Sequence, residues 1–351
     1  MSDDRYMQRC LELAELGMGN VSPNPMVGCV IVHENLIVGE GYHKKFGQAH
    51  AEVNAIHNVL SNYQDDAERI LANAVVYVNL EPCAHFGKTP PCADLLIKYG
   101  VKKVVIGNTD PFSDVNGKGI EKLKLAGIEV VTGVQRENCT RLNRRFFTRV
   151  LEQRPYIILK WAETANGYFA PKNTLQEWIS GPLAKKLVHK WRTEEDAILI
   201  GKHTAISDNP QLTAREWRGK DPIRIAIDQK LQIPTSHHLF NDASKTIIFN
   251  ELKTVVKENI HYIQMEDMQY YLPQKIAFQL YLMDIQSVII EGGANVLSQF
   301  INAKLWDEAR VFTSATSWHE GILAPNIYGI ITDRHEIGRD QLSIYKNSSQ
   351  L

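Results

Sequence analysis

Several things are scarce in this chain of 351 residues, and each shortage closes off a class of protein. There are five cysteines, an odd number, without paired spacing outside residues 79–92, so no disulfide framework is expected and reduced thiols remain available for metal. Net charge is almost absent, formally -1, which leaves no basic footprint of the kind long nucleic-acid contacts require. A small-molecule partner is expected instead, and no nucleic acid. No run approaches the roughly 18 consecutive apolar residues of a membrane span, so no membrane partner is expected either. The opening MSDDRYMQRCLELAELG lacks a basic stretch followed by an apolar one, which makes the cytoplasm the expected location. Low-complexity tracts and convincing internal repeats are also missing, and 44% hydrophobic with 23% charged residues is an ordinary globular composition.

What is present is patterned for two α/β domains, since the length exceeds what one hydrophobic core usually fills. Residues 3–18 place Tyr6, Met7, Cys10, Leu11 and Ala14 at helical spacing. Apolar runs rich in β-branched residues predict strands at 26–32, 36–42, 74–80, 102–107 and 128–133, and helices are expected at 50–60, 91–99 and 116–126. The order αββαβαβαβ argues for a layered domain with a partly parallel, mixed sheet. A basic cluster ending in Arg154-Pro155 precedes the strand YIILKWA, so a boundary is expected near 145–155, dividing 1–148 from 149–351. Beyond it, strands at 156–161, 196–201, 223–228, 246–249, 287–290 and 308–313 alternate with helices at 182–192 and 294–303. The tail after about residue 320 is expected to close with short strands.

The chemistry concentrates first in NLEPCAHFGKTPPC, residues 79–92, and in QAHAEVNAIHNVL upstream. His50 and Glu52 open a predicted helix, Cys83 follows a strand, and Pro90-Pro91 puts Cys92 in the first turn of another helix. One imidazole and two thiolates form a typical catalytic zinc set, because the fourth tetrahedral position stays open for water. Helix N-termini favour thiolate over thiol, and a carboxylate near the ligands but not among them, Glu52, can shuttle protons. That is deaminase chemistry. The alternative is a closed structural site with His57, His43 or His85 as fourth ligand, although structural sites usually show shorter Cys spacings.

SPNPMVGCVIV, GYHKKFGQAHAE and EPCAHFGKTPPC closely resemble the deaminase domain of the bifunctional riboflavin-biosynthesis deaminase/reductase family, in which the long Cys83 to Cys92 loop replaces the Cys-x-x-Cys of other zinc deaminases. The resemblance implies a cytidine-deaminase-like α/β/α domain. It implies one Zn2+ per chain on His50, Cys83 and Cys92, Glu52 as proton shuttle, and substrate contacts from Asn24, His43, His85, Lys88 and Asp110. Asn24 between two prolines suits a pyrimidine edge, while the histidines and Lys88 suit a ribose phosphate. Phe112 stands where the family usually has asparagine.

In the second half no Gly-x-Gly-x-x-Gly follows a strand. EGGANVLSQF offers another nucleotide clamp: a strand, two glycines, and a helix N-terminus that favours phosphate. LKWAETANGYFA, HKWRTEEDAILIGKHTAISDNPQLTAR and VIIEGGANVLSQF resemble the reductase domain of the same family over most of residues 156–315. The resemblance implies a dihydrofolate-reductase-like α/β fold that uses NADPH. Cofactor contacts would come from Ala162, Trp178, Thr204, Asp208 and Gly293, Ala294, Asn295, Val296, Leu297, Ser298 and Gln299. Substrate contacts would come from Lys160, Gln176, Arg192, Leu212, Arg215 and Glu291. Reducing a ribosylamine needs carboxylates and a lysine near the sugar and arginines for its phosphate. Asn166, Gln176 and the segment after residue 315 depart from the family pattern.

The expected function is zinc-dependent deamination of a phosphorylated pyrimidine followed by NADPH-dependent reduction of its ribosyl side chain. A nucleoside or nucleic-acid deaminase with an appended reductase-like module is the runner-up, opposed by the neutral charge and the long cysteine loop. A zinc-stabilised binding protein without turnover would have no need of Glu52. Linked α/β enzymes are often oligomers, so a homo-oligomer is compatible with the sequence.

Overall fold

A computed structural model describes residues 3–84, 90–112, 115–172 and 179–348 and divides into two compact units, Met1–Gln153 and Arg154–Leu351. In the first unit α1 (Asp3–Glu15) precedes a hairpin of β1 (Gly28–His33) and β2 (Leu36–Tyr42). Then follow α2 (Ala51–Tyr63), α3 (Ala67–Ala72), β3 (Val75–Leu80), α4 (Cys92–Lys98), β4 (Lys103–Asn108), α5 (Lys118–Leu125) and β5 (Glu129–Thr132). The unit ends with α6 (Arg136–Leu142) and α7 (Arg144–Glu152). The sheet order is β2-β1-β3-β4-β5, with β1 antiparallel to both neighbours and β3, β4 and β5 parallel.

Strand alternation builds two cores from one sheet. Cys29, Ile31, Val76, Val78, Val104 and Ile106 face α2, α4 and α5, while Val30, Val32, Tyr77 and Val105 face α1 and α6. The result is three layers. Gly39 lets α2 lie close against β2, because a Cβ there would stand 2.7 Å from the Ala55 carbonyl oxygen. The predicted αββαβαβαβ order is present, and α3, α6 and α7 add to it. Residue 148 lies inside α7, and the compact unit runs to Gln153.

The second unit runs β6 (Tyr156–Glu163), β7 (Tyr168–Ala170), α8 (Pro182–Glu194), β8 (Ala197–Gly201), α9 (Lys202–Asp208) and β9 (Ile223–Ile227). It continues through β10 (Thr246–Asn250), β11 (Val255–Lys257), β12 (Ile260–Gln264), α10 (Leu272–Leu282), β13 (Ser287–Ile290), α11 (Ala294–Asn302) and β14 (Glu308–Thr313). It closes with β15 (Ile322–Leu323), β16 (Gly329–Ile337) and β17 (Asp340–Asn347). One sheet of ten strands has the order β11-β12-β10-β9-β8-β13-β6-β14-β17-β16, parallel from β12 to β14 and antiparallel beyond at both edges. Central strands are covered on both faces, which is why β8 and β13 are apolar or small throughout and buried along their length.

The tail differs from the expected short strands: β16 and β17 are nine and eight residues long and extend the main sheet as a hairpin. Asp340 anchors that hairpin by accepting the Gly181 N–H at 2.6 Å, at the start of α8. Arg154 and Asp307, both buried, join β6 to β14 through bonds of 2.6 and 2.7 Å, and Asp307 also accepts the Ile157 N–H.

Candidate active sites

Two helix starts and one strand end converge in the first unit. His50 is the N-cap of α2, Cys92 is the first residue of α4, and Cys83 lies three residues beyond β3. His50 Nδ1 stands 3.6 Å from Cys83 Sγ and 3.4 Å from Cys92 Sγ. A tetrahedral zinc with ordinary Zn–S and Zn–N bonds separates S from N by about 3.6 Å, so the donor set fits the ion without rearrangement. Among the described residues no fourth His, Cys, Asp or Glu joins this cluster, and three protein ligands are the number a catalytic zinc takes. His57 is exposed, and His43 Nε2 lies 3.2 Å from Asn24 Nδ2.

The local field favours a thiolate. The Cys83 thiol is pulled down to about 4, first by its hydrogen bond with Cys92 and then by His50, and the Cys92 backbone N–H donates to Cys83 Sγ at 3.3 Å. Cys92 is pushed up by its Cys83 bond and by burial, and His50 is raised to about 9 by Cys83. Glu52, in the first turn of α2, is buried, and that burial raises its carboxyl pKa.

A cavity of about 320 Å³ opens on this cluster and is lined by Asn24, His43, His50, Glu52, Cys83 and Asp110, six of the residues expected from the sequence. His43 Nδ1–H donates to the Ala49 carbonyl at 3.1 Å, which leaves Nε2 to accept from the Asn24 amide. Asn79 and Asn143 fix the chain next to Asn24: Asn143 Oδ1 accepts the Met26 N–H and both side-chain amides donate to the Met26 carbonyl. His85 and Lys88 lie outside the described residues.

The cavity also contains residues that the sequence did not announce. Phe146, Arg149 and Val150 project into it from α7, and their i, i+3, i+4 spacing was the available signal inside the basic stretch read as a connector. Glu81, of Glu-Pro-Cys, accepts four backbone N–H groups, from Asp110, Gly117, Gly119 and Ile120, at 2.9 to 3.2 Å. It ties the strand end carrying Cys83 to the loop carrying Asp110. Phe112 lines the cavity where an asparagine was the family expectation.

In the second unit the carboxyl ends of β6, β8 and β13 meet at a cavity of about 340 Å³. It is lined by Lys160, Arg192, Thr204, Asp208, Leu212, Arg215 and Glu291, seven of the expected residues. Arg192 donates to Glu291 at 2.9 Å and to the Thr213 carbonyl at 3.1 Å. Burial acts to raise the Glu291 carboxyl, but the Arg192 and Lys160 charges outweigh it and hold it low. Burial pushes the Lys160 ammonium down, with Glu291 opposing. Leu212 holds a left-handed backbone, φ +56, a strained setting common where a chain must present itself to a ligand.

Gly293 caps α11 at φ +43, beside Thr204, and Gly292 lies so near β8 that an added Cβ would come within 2.7 Å of the Ile200 carbonyl carbon. This backbone cradle and the helix start fit the phosphates of a dinucleotide. Ala294, Asn295, Val296, Ser298 and Gln299 lie on that helix and Ala162 on β6, none of them in the wall of the 340 Å³ cavity. Leu297 is turned into the core with its N–H bonded to the Gly293 carbonyl, so its side chain packs the sheet. Gln176 and Trp178 lie outside the described residues.

Both units have counterparts among known proteins. Residues 1–108 match the family model of the cytidine and deoxycytidylate deaminase zinc-binding region, and residues 155–316 match the RibD C-terminal domain. The chain is 38% identical to the riboflavin biosynthesis protein RibD of Aquifex aeolicus, over 91% of this chain and 89% of that one. It is 40% identical to RibD of Actinobacillus pleuropneumoniae, over 84% of this chain and 79% of that one. Among solved structures, a diaminohydroxyphosphoribosylaminopyrimidine deaminase/5-amino-6-(5-phosphoribosylamino)uracil reductase from Thermotoga maritima superposes with TM-score 0.89 at 33% identity, covering 98% of each chain. With an open zinc-type cluster in one unit, a nucleotide cradle in the other and full-length relatives on both counts, the chain belongs to the RibD family of riboflavin-biosynthesis proteins.

Proposed function

We propose that this chain deaminates 2,5-diamino-6-(5-phosphoribosylamino)pyrimidin-4(3H)-one to 5-amino-6-(5-phosphoribosylamino)uracil in its first unit and reduces the ribosyl to a ribityl side chain in its second. The observation that carries this reading is the cluster of His50, Cys83 and Cys92 at the edge of a cavity that buried Glu52 also lines, in a chain whose other unit gathers Lys160, Arg192 and Glu291 around a second.

Zinc, held by His50, Cys83 and Cys92, supplies Lewis acidity that makes water nucleophilic near neutral pH. Glu52 takes the proton lost by the attacking water and gives it to the departing amine, so the C–N bond breaks with ammonia as the leaving group. Its raised pKa suits a group that must both accept and release that proton. Asn24, oriented by His43, presents its amide to the pyrimidine edge.

In the second unit Gly293 at the α11 start, Thr204 and Asp208 would hold NADPH, which would supply the hydride. Opening of the ribosylamine to an imine moves a proton from nitrogen to the ring oxygen, and Lys160 with Glu291 can hold protons at that place. Hydride is received at C1′ and the nitrogen regains a proton. Arg215 answers the phosphate, while Arg192, bonded to Glu291, holds that carboxylate in the wall.

The test is to give purified, zinc-loaded chain the diaminopyrimidine ribotide with and without NADPH. Ammonia should appear in both, and NADPH absorbance should fall only when deamination has supplied the uracil. Absence of ammonia would overturn the deaminase assignment; ammonia without NADPH oxidation would overturn the reductase assignment.

A further inference from the structure

One histidine in the reductase cavity has no part in the scheme above. On α8, Lys185, Val188, His189 and Arg192 recur at i, i+3, i+4 and i+7 and form a single stripe along the cavity wall. His189 is only 2% exposed, yet it lines the cavity, and its Nδ1 is buried without a hydrogen bond of normal geometry. The Thr213 backbone is close enough to act on the ring without forming a full hydrogen bond, so a group arriving in the cavity can complete its hydrogen bonding.

The surrounding charge indicates what that is. The cavity wall carries Lys160, Lys185, Arg192 and Arg215 against the carboxylates Asp208 and Glu291, a cationic excess that favours an anion. Arg192 has committed both terminal nitrogens, to Glu291 and to the Thr213 carbonyl. His189 Nε2 stands 3.7 Å from Glu216 Oε1, and Lys185 pairs with the same oxygen at 2.8 Å, so Glu216 marks the solvent side of the stripe. Burial lowers the His189 pKa, as do Arg192 and Arg215, with Glu216 and the Thr213 backbone offsetting part of the effect. An arriving dianion reverses the sign of that field and lets both ring nitrogens donate.

We propose that His189 is a ligand for the phosphate monoester of the reductase substrate, standing beside Arg215 in the wall of the cavity. The assignment rests on reading this cavity as the ribotide reductase site. Phosphate monoester chemistry also occurs as the 2′-phosphate of NADPH, so the experiment separates the two sources.

His189→Ala and His189→Gln are made in the full-length chain and assayed with 5-amino-6-(5-phosphoribosylamino)uracil, with its dephosphorylated riboside, and with NADPH against NADH. The alanine variant should raise KM for the ribotide about tenfold, the equivalent of one lost charge-assisted hydrogen bond, with kcat little changed. KM for the riboside and the preference for NADPH should stay as in the parent chain, and glutamine, which keeps a donor, should recover part of the ribotide effect. Chemical denaturation of the second unit reports on its folding; should alanine impair it, the glutamine variant carries the comparison. An equal change toward ribotide and riboside makes His189 structural and overturns the assignment, as does a loss of NADPH preference with ribotide KM unchanged. A parent chain that oxidises no NADPH with the ribotide overturns the reading of the cavity itself.

Discussion

At the scale of single residues, the cavity of the first unit holds two glutamates whose surroundings differ sharply. Glu52 is buried beside the zinc-type cluster and is pushed up by that burial, which suits a group that carries a proton in each direction. Glu81, in an equally conspicuous motif, spends its oxygens on four backbone N–H groups and serves the frame of the site. A glutamate next to a metal ligand in sequence is therefore not by that fact a catalytic one. Glu52→Gln should retain zinc, read by metal analysis, while ammonia release falls by about 10² to 10⁴, the usual worth of a positioned acid or base. Retained turnover would mean that another group moves the proton. Asn166, one of the departures from the family pattern, has a structural account. Its side chain donates to the Trp318 carbonyl at 2.6 Å and accepts the Trp318 N–H at 3.1 Å, so it is bonded to the segment after residue 315 that also departs.

At the scale of elements, both sites are assembled where strands end and helices begin. In the first unit α2 and α4 start at the metal cluster, and in the second α9 and α11 start beside the cavity that β6, β8 and β13 open. Helix starts carry unpaired N–H groups and a positive dipole end, which stabilise thiolates in one case and favour phosphates in the other. The turn into α11 is the tightest of these approaches, because Gly292 packs directly on the backbone of β8. Gly292→Ala should therefore force β13 away from β8 and displace the α11 start. We expect a loss of about 1–3 kcal/mol in the stability of the second unit, read by chemical denaturation, and a raised Kd for NADPH, with ammonia release preserved. Unchanged NADPH affinity would mean that the cradle does not seat the cofactor.

At the scale of the whole molecule, the two chemistries reside in separate compact units with separate cores: the zinc-type ligands all lie before Gln153 and the reductase cavity wholly after it. Removing zinc with a chelator should abolish ammonia release yet leave NADPH oxidation intact when the aminouracil ribotide is supplied directly. Parallel loss of both activities would show that the second unit also depends on the metal. Among the described residues no helix is long and apolar enough to cross a membrane.

The amino-acid sequence by itself determined the two-part α/β organisation, because apolar periodicity and β-branched runs are local properties that set strands and helices directly. It also singled out His50, Cys83 and Cys92, which the structure brings together, and Glu52 beside them, since sulfur, imidazole and carboxylate at helix starts carry their chemistry in their identity. Only the tertiary structure decided how α7 contributes Phe146 and Arg149 to the deaminase cavity, why Leu297 turns inward, and that His189 belongs to the reductase wall. Those outcomes depend on which helix face meets which sheet. That choice is made by packing between segments tens to hundreds of residues apart, where no local pattern records it.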